Sequence, residues 1–268
     1  MGRGGMSRFN LWVSFMTTVG LAGQGWAASV GLPTANSENR VEITTDYSRV
    51  FDRDMKPDPG ESDEIKSGNQ VFGRLGLAVA DWLQLYAKGG VASYDEDRKN
   101  FNISGVGIRD VSFGYDLGPV WGGGLTGIYF FGDEKDWFIG YDGQWLHGLN
   151  DLDSVTHSGE TGTLIGGDIV VDEAHGALFL GQEVEMGDSR LAFYIGGRYS
   201  LFEIDVQRDF NYTTVTDGTV SVTGKAQADD RIGFFLGLRW RYPSRWSLAV
   251  ELRLVDESAA TGRASFSF

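Results

Sequence analysis

The chain has 268 residues, 41% of them apolar and 22% charged, which excludes a disordered polymer. It contains no cysteine, so disulfides, thiolate metal sites and cysteine nucleophiles are excluded. A formal charge of −14 argues against a nucleic-acid partner, which needs a basic footprint, and no stretch approaches the roughly 18 apolar residues of a transmembrane helix.

Met1 to Ala28 reads as a secretory signal segment. Arg3 and Arg8 are its only charges, Phe9–Leu21 is a moderately apolar core, and Gly25 and Ala27 suit the small positions before a cleavage site. Cleavage is expected after Ala27, giving a signal peptide over 1–27 and a periplasmic N-terminal segment over 28–39. That removal takes two of the 23 bases and none of the 37 acids, leaving −16.

From Arg40 onward the chain reads as ten runs of period two with almost no helical period. They are Arg40–Val50, Asn69–Ala80, Trp82–Tyr94, Gly118–Phe131, Asp136–Gly148, Ala174–Met186, Ser189–Ile204, Arg231–Tyr242, Arg245–Val255 and Ala259–Phe268. Tight turns fall at Ala80–Asp81, Gly132–Lys135, Gly187–Asp188 and Pro243–Ser244. Long polar connections fall at Phe51–Gly68, Asp95–Leu117, Leu149–Glu173 and Asp205–Asp230, with Asp256–Ser258 the short exception. Short turns at one end and long loops at the other are the pattern of an up-and-down transmembrane barrel.

The two faces of each run agree. The eighth run places Ile232, Phe234, Leu236, Leu238 and Trp240 on one face and Gly233, Phe235, Gly237, Arg239 and Arg241 on the other. A soluble sandwich would turn the apolar face inward; a membrane barrel turns it to lipid. Period alone leaves both open. The apolar faces, however, run without charge over five positions, nearly the height of a membrane strand. Aromatic residues also gather near strand ends, and Trp82, Trp137, Tyr141, Trp145, Trp240 and Trp246 form the expected interfacial girdle.

The last run, AATGRASFSF, alternates and ends on phenylalanine. It resembles the terminal signature of bacterial outer-membrane β-barrel proteins (the small OmpA, OmpW and porin-like group), and the resemblance covers Arg40 to Phe268. It implies an all-β fold: one antiparallel up-and-down barrel of about ten strands, with eight or twelve as alternatives and Asp110–Tyr115 as the likeliest source of a miscount. It further implies the bacterial outer membrane, reached by export through the inner membrane. The implied partners are membrane lipids, lipopolysaccharide and the assembly machinery, which would read Ala264, Phe266 and Phe268. The resemblance identifies no subfamily.

Assigning the lipid faces fixes the lumen. Its acids are Glu42, Asp46, Asp142, Glu183, Glu185 and Glu251; its bases are Arg74, Lys88, Arg198, Arg239, Arg241, Arg253 and Arg263. Six against seven is nearly balanced, so the negative excess belongs to the loops, and the lumen can be filled by cross-strand ion pairs. Inward Gly76, Gly196, Gly233 and Gly237 would leave room for the arginines.

Chemistry-bearing motifs are sparse. His147 and His175 are expected near the outer rim and His157 in a long loop, where His157, Ser158 and Glu160 only faintly resemble a lipid-deacylase set. Triads are recognised by geometry rather than adjacency. None of the acidic clusters has calcium-loop spacing, and the glycine-rich Gly159–Asp168 lacks the phosphate-loop lysine. No cofactor or metal is expected. The reading favoured is a non-enzymatic barrel, structural or surface-contacting, with a narrow filled lumen. A small porin-like channel, a rim-located enzyme and, distantly, a secreted soluble β-protein are the alternatives. Nothing in the residues separates a monomer from a trimer.

Overall fold

The computed structural model describes residues 40–268, apart from 57–61, 104–106, 133–135, 158–159, 166–167, 207–209, 215–217, 223–224, 229–230 and 256. The expected signal peptide (1–27) and the segment 28–39 lie outside the described residues. The strands are β1 (Val41–Lys56), β2 (Ser62–Ala80), β3 (Leu83–Ile103), β4 (Gly107–Phe131), β5 (Trp137–His157), β6 (Glu160–Ile165) and β7 (Asp168–Met186). They continue with β8 (Ser189–Val206), β9 (Phe210–Thr214), β10 (Gly218–Val222), β11 (Lys225–Ala228), β12 (Ile232–Arg241), β13 (Trp246–Leu254) and β14 (Ser258–Ser267).

Ten of these form a closed antiparallel barrel: β1, β2, β3, β4, β5, β7, β8, β12, β13 and β14, each paired with the next. Closure is made by β14 on β1, from Glu42 opposite Ser267 upward, and Val41 and Phe268 exchange both backbone hydrogen bonds at 3.1 and 2.9 Å. The expected miscount does not occur, because Asp110–Tyr115 continues β4 rather than adding a crossing. The tight turns lie at one end of the barrel. In the β7–β8 turn Gly187 sits at φ +63°, a conformation open to glycine without steric cost.

Around the turn end the barrel wall is apolar outside. Ile232, Phe234, Leu236, Leu238 and Trp240 are exposed on β12, and Trp246, Val250, Leu252 and Leu254 on β13. Nine residues of strand rise about 30 Å, or roughly 23 Å at the tilt of a barrel strand, which matches the apolar band of a membrane barrel. Such a continuous belt far exceeds the few hundred Å² of apolar patch that a soluble monomer tolerates. Trp82, Trp137, Trp240 and Trp246 ring the turn end, while Trp121 and Trp145 mark the upper edge of the belt. Tyr141 departs from the expected girdle. It stands one turn of the pleat above Ile139, at mid-height, where its ring covers Gly127.

Toward the loop end the arrangement reverses, and the long loops expected there are largely strand. The outward residues become Asp52, Asp54, Asp110, Asp116, Asp151 and Asp153, while apolar residues turn inward. Among the described residues, these carboxylates make this outer wall acidic. β-Bulges mark the change of level, between Val50 and Asp52, Ile65 and Ser67, Ala92 and Tyr94, and around Tyr115. A bulge adds a residue to one strand and so shifts the phase of alternation. These strand halves therefore read as polar loops in the sequence, because both the phase and the meaning of the apolar face change there.

The strand count changes as well. β12, β13 and β14 stop at Ile232, Leu254 and Ser258, while β1 and β8 continue. Above that level β11 fills the gap, pairing Met55 and Lys56 of β1 on one side and Glu203 to Asp205 of β8 on the other. The upper tube thus has eight strands, the number at which an interior is just filled by side chains. Beside it, β6 leaves β5 and pairs with β9, which pairs with β10.

Candidate functional site: the barrel lumen

The inward faces stack into tiers. At the turn end Glu183 on β7 receives Arg190 (3.0 Å), Arg239 (3.2 Å) and Arg241 (2.8 Å). Glu185, expected in the lumen, is instead 75% exposed at the rim and pairs with Arg190. It has inward phase, but it lies past the last enclosed rung, where water outcompetes burial. Arg241 is also partly exposed at this mouth.

Above this lies an aromatic tier. Phe179, Tyr194 and Phe235 meet in tilted and edge-on contacts near 6 Å, with Phe138 beside them. Two of the inward glycines, Gly196 and Gly237, serve these rings. A Cβ at Gly196 would strike Phe235, one at Gly237 would strike Tyr194, and one at Gly76 would strike Gln84.

The middle of the lumen is polar and enclosed. Asp46 receives Arg263 at 2.6 Å and Lys88 at 3.5 Å. Glu42 accepts from Thr44 (2.7 Å) and from Gln84 (3.2 Å), whose own oxygen accepts from Arg74 at 2.5 Å. Asp142 receives Tyr86 (3.3 Å) and meets His175 Nε2 at 3.0 Å. His175 is therefore a buried lumen residue, not a rim residue. His147 faces outward, with Nδ1 2.9 Å from Asp172. Ser158 lies outside the described residues, and His157 and Glu160 are described only as backbone partners in the β5–β6 hairpin.

The next tier joins three expected lumen charges, Arg198, Arg253 and Glu251, to three that the sequence reading leaves in loops. Glu257 is buried among Arg53 (3.0 Å), Arg198 (2.6 Å) and Arg253 (2.9 Å), and Arg53 also reaches Glu173 at 3.5 Å. Glu251 closes the group, 3.6 Å from Arg253. Arg53, Glu173 and Glu257 fall in segments that read as loops. The available signal is inward phase: Glu173 and Glu257 keep the phase of His175 and Ala259 just outside the runs, and Arg53 has it once β1 is continued past its bulge.

An apolar core of sixteen side chains begins level with these tiers, where Phe72 stands opposite Asp46 and Leu146 opposite Glu173, and continues above them through Val111, Phe113, Val155, Ile169 and Ile204. Within it Glu96 accepts from Arg98 (2.5 Å) and Tyr115 (2.5 Å), and Asp63 lies 3.3 Å from Arg98. Two buried acids share one guanidinium. Burial, and then the neighbouring Glu96 carboxylate, push Asp63 up to about 9. Burial alone would raise Glu96 too, but Arg98 and the hydrogen bonds it accepts hold it below its ordinary value. Burial, with Glu96 adding to it, keeps Tyr94 and Tyr115 protonated far above their ordinary range.

Of the thirteen lumen charges expected from sequence, eleven are enclosed, Arg241 is at the mouth and Glu185 is outside. The described ion pairs of each tier join neighbouring or opposite strands.

No family model matches the chain, and no curated protein matches it in sequence. Among solved structures it is similar to the translocator domain of the autotransporter NalP from Neisseria meningitidis: 10% identity, 85% of this chain, 88% of that chain, TM-score 0.45. It is also similar to the transport unit of the autotransporter AIDA-I from Escherichia coli, at 11% identity over 96% and 97% of the two chains, TM-score 0.39. A third is the outer membrane protein OprG from Pseudomonas aeruginosa, at 9% identity over 88% and 98%, TM-score 0.37. The architecture described above rests on this chain's own strand pairing.

Proposed function

We propose that this chain is an outer-membrane barrel that is closed rather than conducting and acts non-enzymatically, as a structural or surface-contacting element of the envelope. One observation carries the reading: an eight-stranded upper tube whose interior is occupied by an apolar core, standing on a lumen crossed by buried ion pairs. A solute crossing it would have to displace packed side chains and uncover paired charges, each a cost of several kcal/mol. On this reading the short turns face the periplasm and the acidic outer wall faces outward. There, carboxylates can be bridged by divalent cations to anionic lipopolysaccharide. Export led by residues 1–27, and recognition of Ala264, Phe266 and Phe268 by the assembly machinery, belong to the same reading.

The test is single-channel conductance of the refolded chain, begun at Ala28, in a planar bilayer. Insertion is verified first by a compact, heat-modifiable band. The expected result is no discrete current step from inserted protein. Reproducible steps would overturn the closed lumen in favour of a small pore.

A further inference from the structure

The carboxylate at the centre of the arginine tier is not carried by a strand. Glu257 stands in the turn from β13 to β14, two residues past Val255. Val255 is 62% exposed and holds φ +86°, a left-handed conformation that a β-branched residue adopts only under strain. Glu257 itself is buried and meets three guanidinium groups, Arg53 from β1, Arg198 from β8 and Arg253 from β13. Other groups hold two of these arginines as well. Arg53 lies over the Phe202 ring, 4.5 Å from its centroid, and 3.5 Å from Glu173, and Arg253 is 3.6 Å from Glu251.

The tier has more hydrogen-bonding capacity than Glu257 uses. Ser200 Oγ and His175 Nδ1 are buried and make no hydrogen bond among the described residues, and neither do Nε and Nη1 of Arg53. Ser200 stands between Arg198 and Phe202 on the inner face of β8, opposite His175, which is two residues from Glu173 on β7. Unpaired buried donors favour a guest that accepts from them. The wall is broken at the same height. β14 leaves β1 opposite Asp52, and β11 joins β1 opposite Met55; β12 leaves β8 at Tyr199, and β11 joins β8 at Glu203. Over about three residues, roughly 10 Å of strand rise, no described strand closes the sheet between β1 and β8, and the β13–β14 turn stands at the lower edge of this break. A cleft of about 330 Å³ beside it is lined by Leu201 and Arg231 of the outer wall together with Glu173 and Phe202 of the tier.

We propose that Arg53, Arg198 and Arg253 form a binding site for a small carboxylate solute, closed in this state by the protein's own Glu257 on a strained outer turn. The built-in occupant defines the chemistry, since a planar carboxylate accepts paired donors from guanidinium groups. Charge agrees. Without Glu257 the three arginines face only Glu173 and Glu251, so one monovalent anion restores neutrality. Swinging the turn outward relieves Val255 and uncovers the site at the break in the wall. The inference rests on the closed-lumen reading, because in an open bore Glu257 would close nothing.

The experiment follows urea unfolding of the refolded chain in lipid vesicles, with sodium acetate or sodium phosphate replacing sodium chloride at constant ionic strength. Glu257→Ala removes a methylene and a carboxylate, which together have the size of an acetate ion. Acetate should restore about half or more of its lost unfolding midpoint, and phosphate should need about tenfold more to do the same. A Glu257→Ala chain that refolds in acetate but not in chloride is the same result. Glu257→Gln keeps the volume and serves if Glu257→Ala folds in neither; it should respond at about ten times the acetate concentration, because its amide must be displaced. Adding Arg53→Met to either variant should raise the acetate requirement about tenfold, since it removes both donors and the excess charge. The parent chain should also need about tenfold more acetate than Glu257→Ala, because its tethered carboxylate competes at high effective concentration. Variants that respond to acetate no better than to chloride, or a parent that responds like Glu257→Ala, would overturn the site. Phosphate acting below the acetate concentration would overturn the carboxylate assignment. The two readings fail separately: current steps from the parent chain overturn the closed lumen and the lid with it, whereas a silent parent whose Glu257 variants ignore acetate overturns the site alone.

Discussion

Replacing Glu257 with glutamine removes one charge from the middle of the lumen and almost no volume. Glu257 is buried, with three guanidinium groups at 2.6, 2.9 and 3.0 Å. The local balance of Arg53, Arg198 and Arg253 against Glu173, Glu251 and Glu257 then tips to an uncompensated positive charge. Each pair is worth about 4 kcal/mol at an effective dielectric near 20, but the sum overstates the effect because removing the charge also removes its desolvation cost. Breaking a buried pair by removing one partner leaves about 3–5 kcal/mol of destabilisation, roughly 6–20 °C in melting temperature for a domain of this size. Glu185→Gln is the control. Its carboxylate is 75% exposed and its partner Arg190 49% exposed, so the change should stay within about 1 kcal/mol. The assay is urea unfolding of the refolded barrel in lipid vesicles, followed by tryptophan fluorescence and by loss of the compact band. In the double variant Arg53→Met with Glu257→Gln, the loss should be smaller than the sum of the two single losses, because the pair interacts directly. If Glu257→Gln unfolds at the same urea concentration as Glu185→Gln, the lumen charges are hydrated and independent, and the filled-lumen argument fails.

Two further outcomes follow from the tiers above and below. Asp63 holds its proton up to about 9 in the folded state, whereas the unfolded chain releases it in the ordinary carboxylate range. The native state therefore binds the extra proton between those limits, and stability of the outer tube should fall as pH rises toward about 9. Glu96 has the opposite sign, losing its contribution only below its ordinary range. Asp63→Asn should flatten the slope, read by amide exchange of the loop-end halves of β2 and β3 across pH 5 to 9; an unchanged slope would mean that Asp63 is ionised throughout. At the aromatic tier, Gly237→Ala should cost about 1–3 kcal/mol by driving a methyl into the Tyr194 ring. Gly73→Ala, whose nearest contact would be an ordinary 3.8 Å, should not destabilise; equal effects would show that strand glycine, not ring packing, sets the cost.

Local alternation was enough to read the membrane-height part of this molecule. The ten runs, the tight turns and eleven of the lumen charges follow from period two and the continuity of apolar faces, because below the bulges each residue has one neighbour environment per face. The same rule failed for Glu185, whose phase is inward but whose height lies beyond the enclosed rungs. It failed for Tyr141, which occupies the space left by Gly127 on the next strand. Phase along a strand carries no information about height or about what stands opposite.

The loop end was not legible for a different reason. Asp110, Asp151 and Asp153 read as loop residues because their charges interrupt the expected apolar face, yet they lie on strands. They point to water above the bilayer while Val111, Leu152 and Val155 point inward. Bulges break the phase at that same level. Arg53, Glu173 and Glu257 are 84 to 204 residues apart and meet only because the closed sheet brings β1, β7 and the start of β14 to one height. By itself the sequence determined that the chain is a barrel with lipid outside and charge inside, since alternation is a property of neighbouring residues. Only the tertiary structure decided that the ten-stranded tube becomes eight-stranded and fills with an apolar core. That outcome depends on which strands end first and on β11 replacing three of them, a matter of register between distant segments that no local pattern encodes.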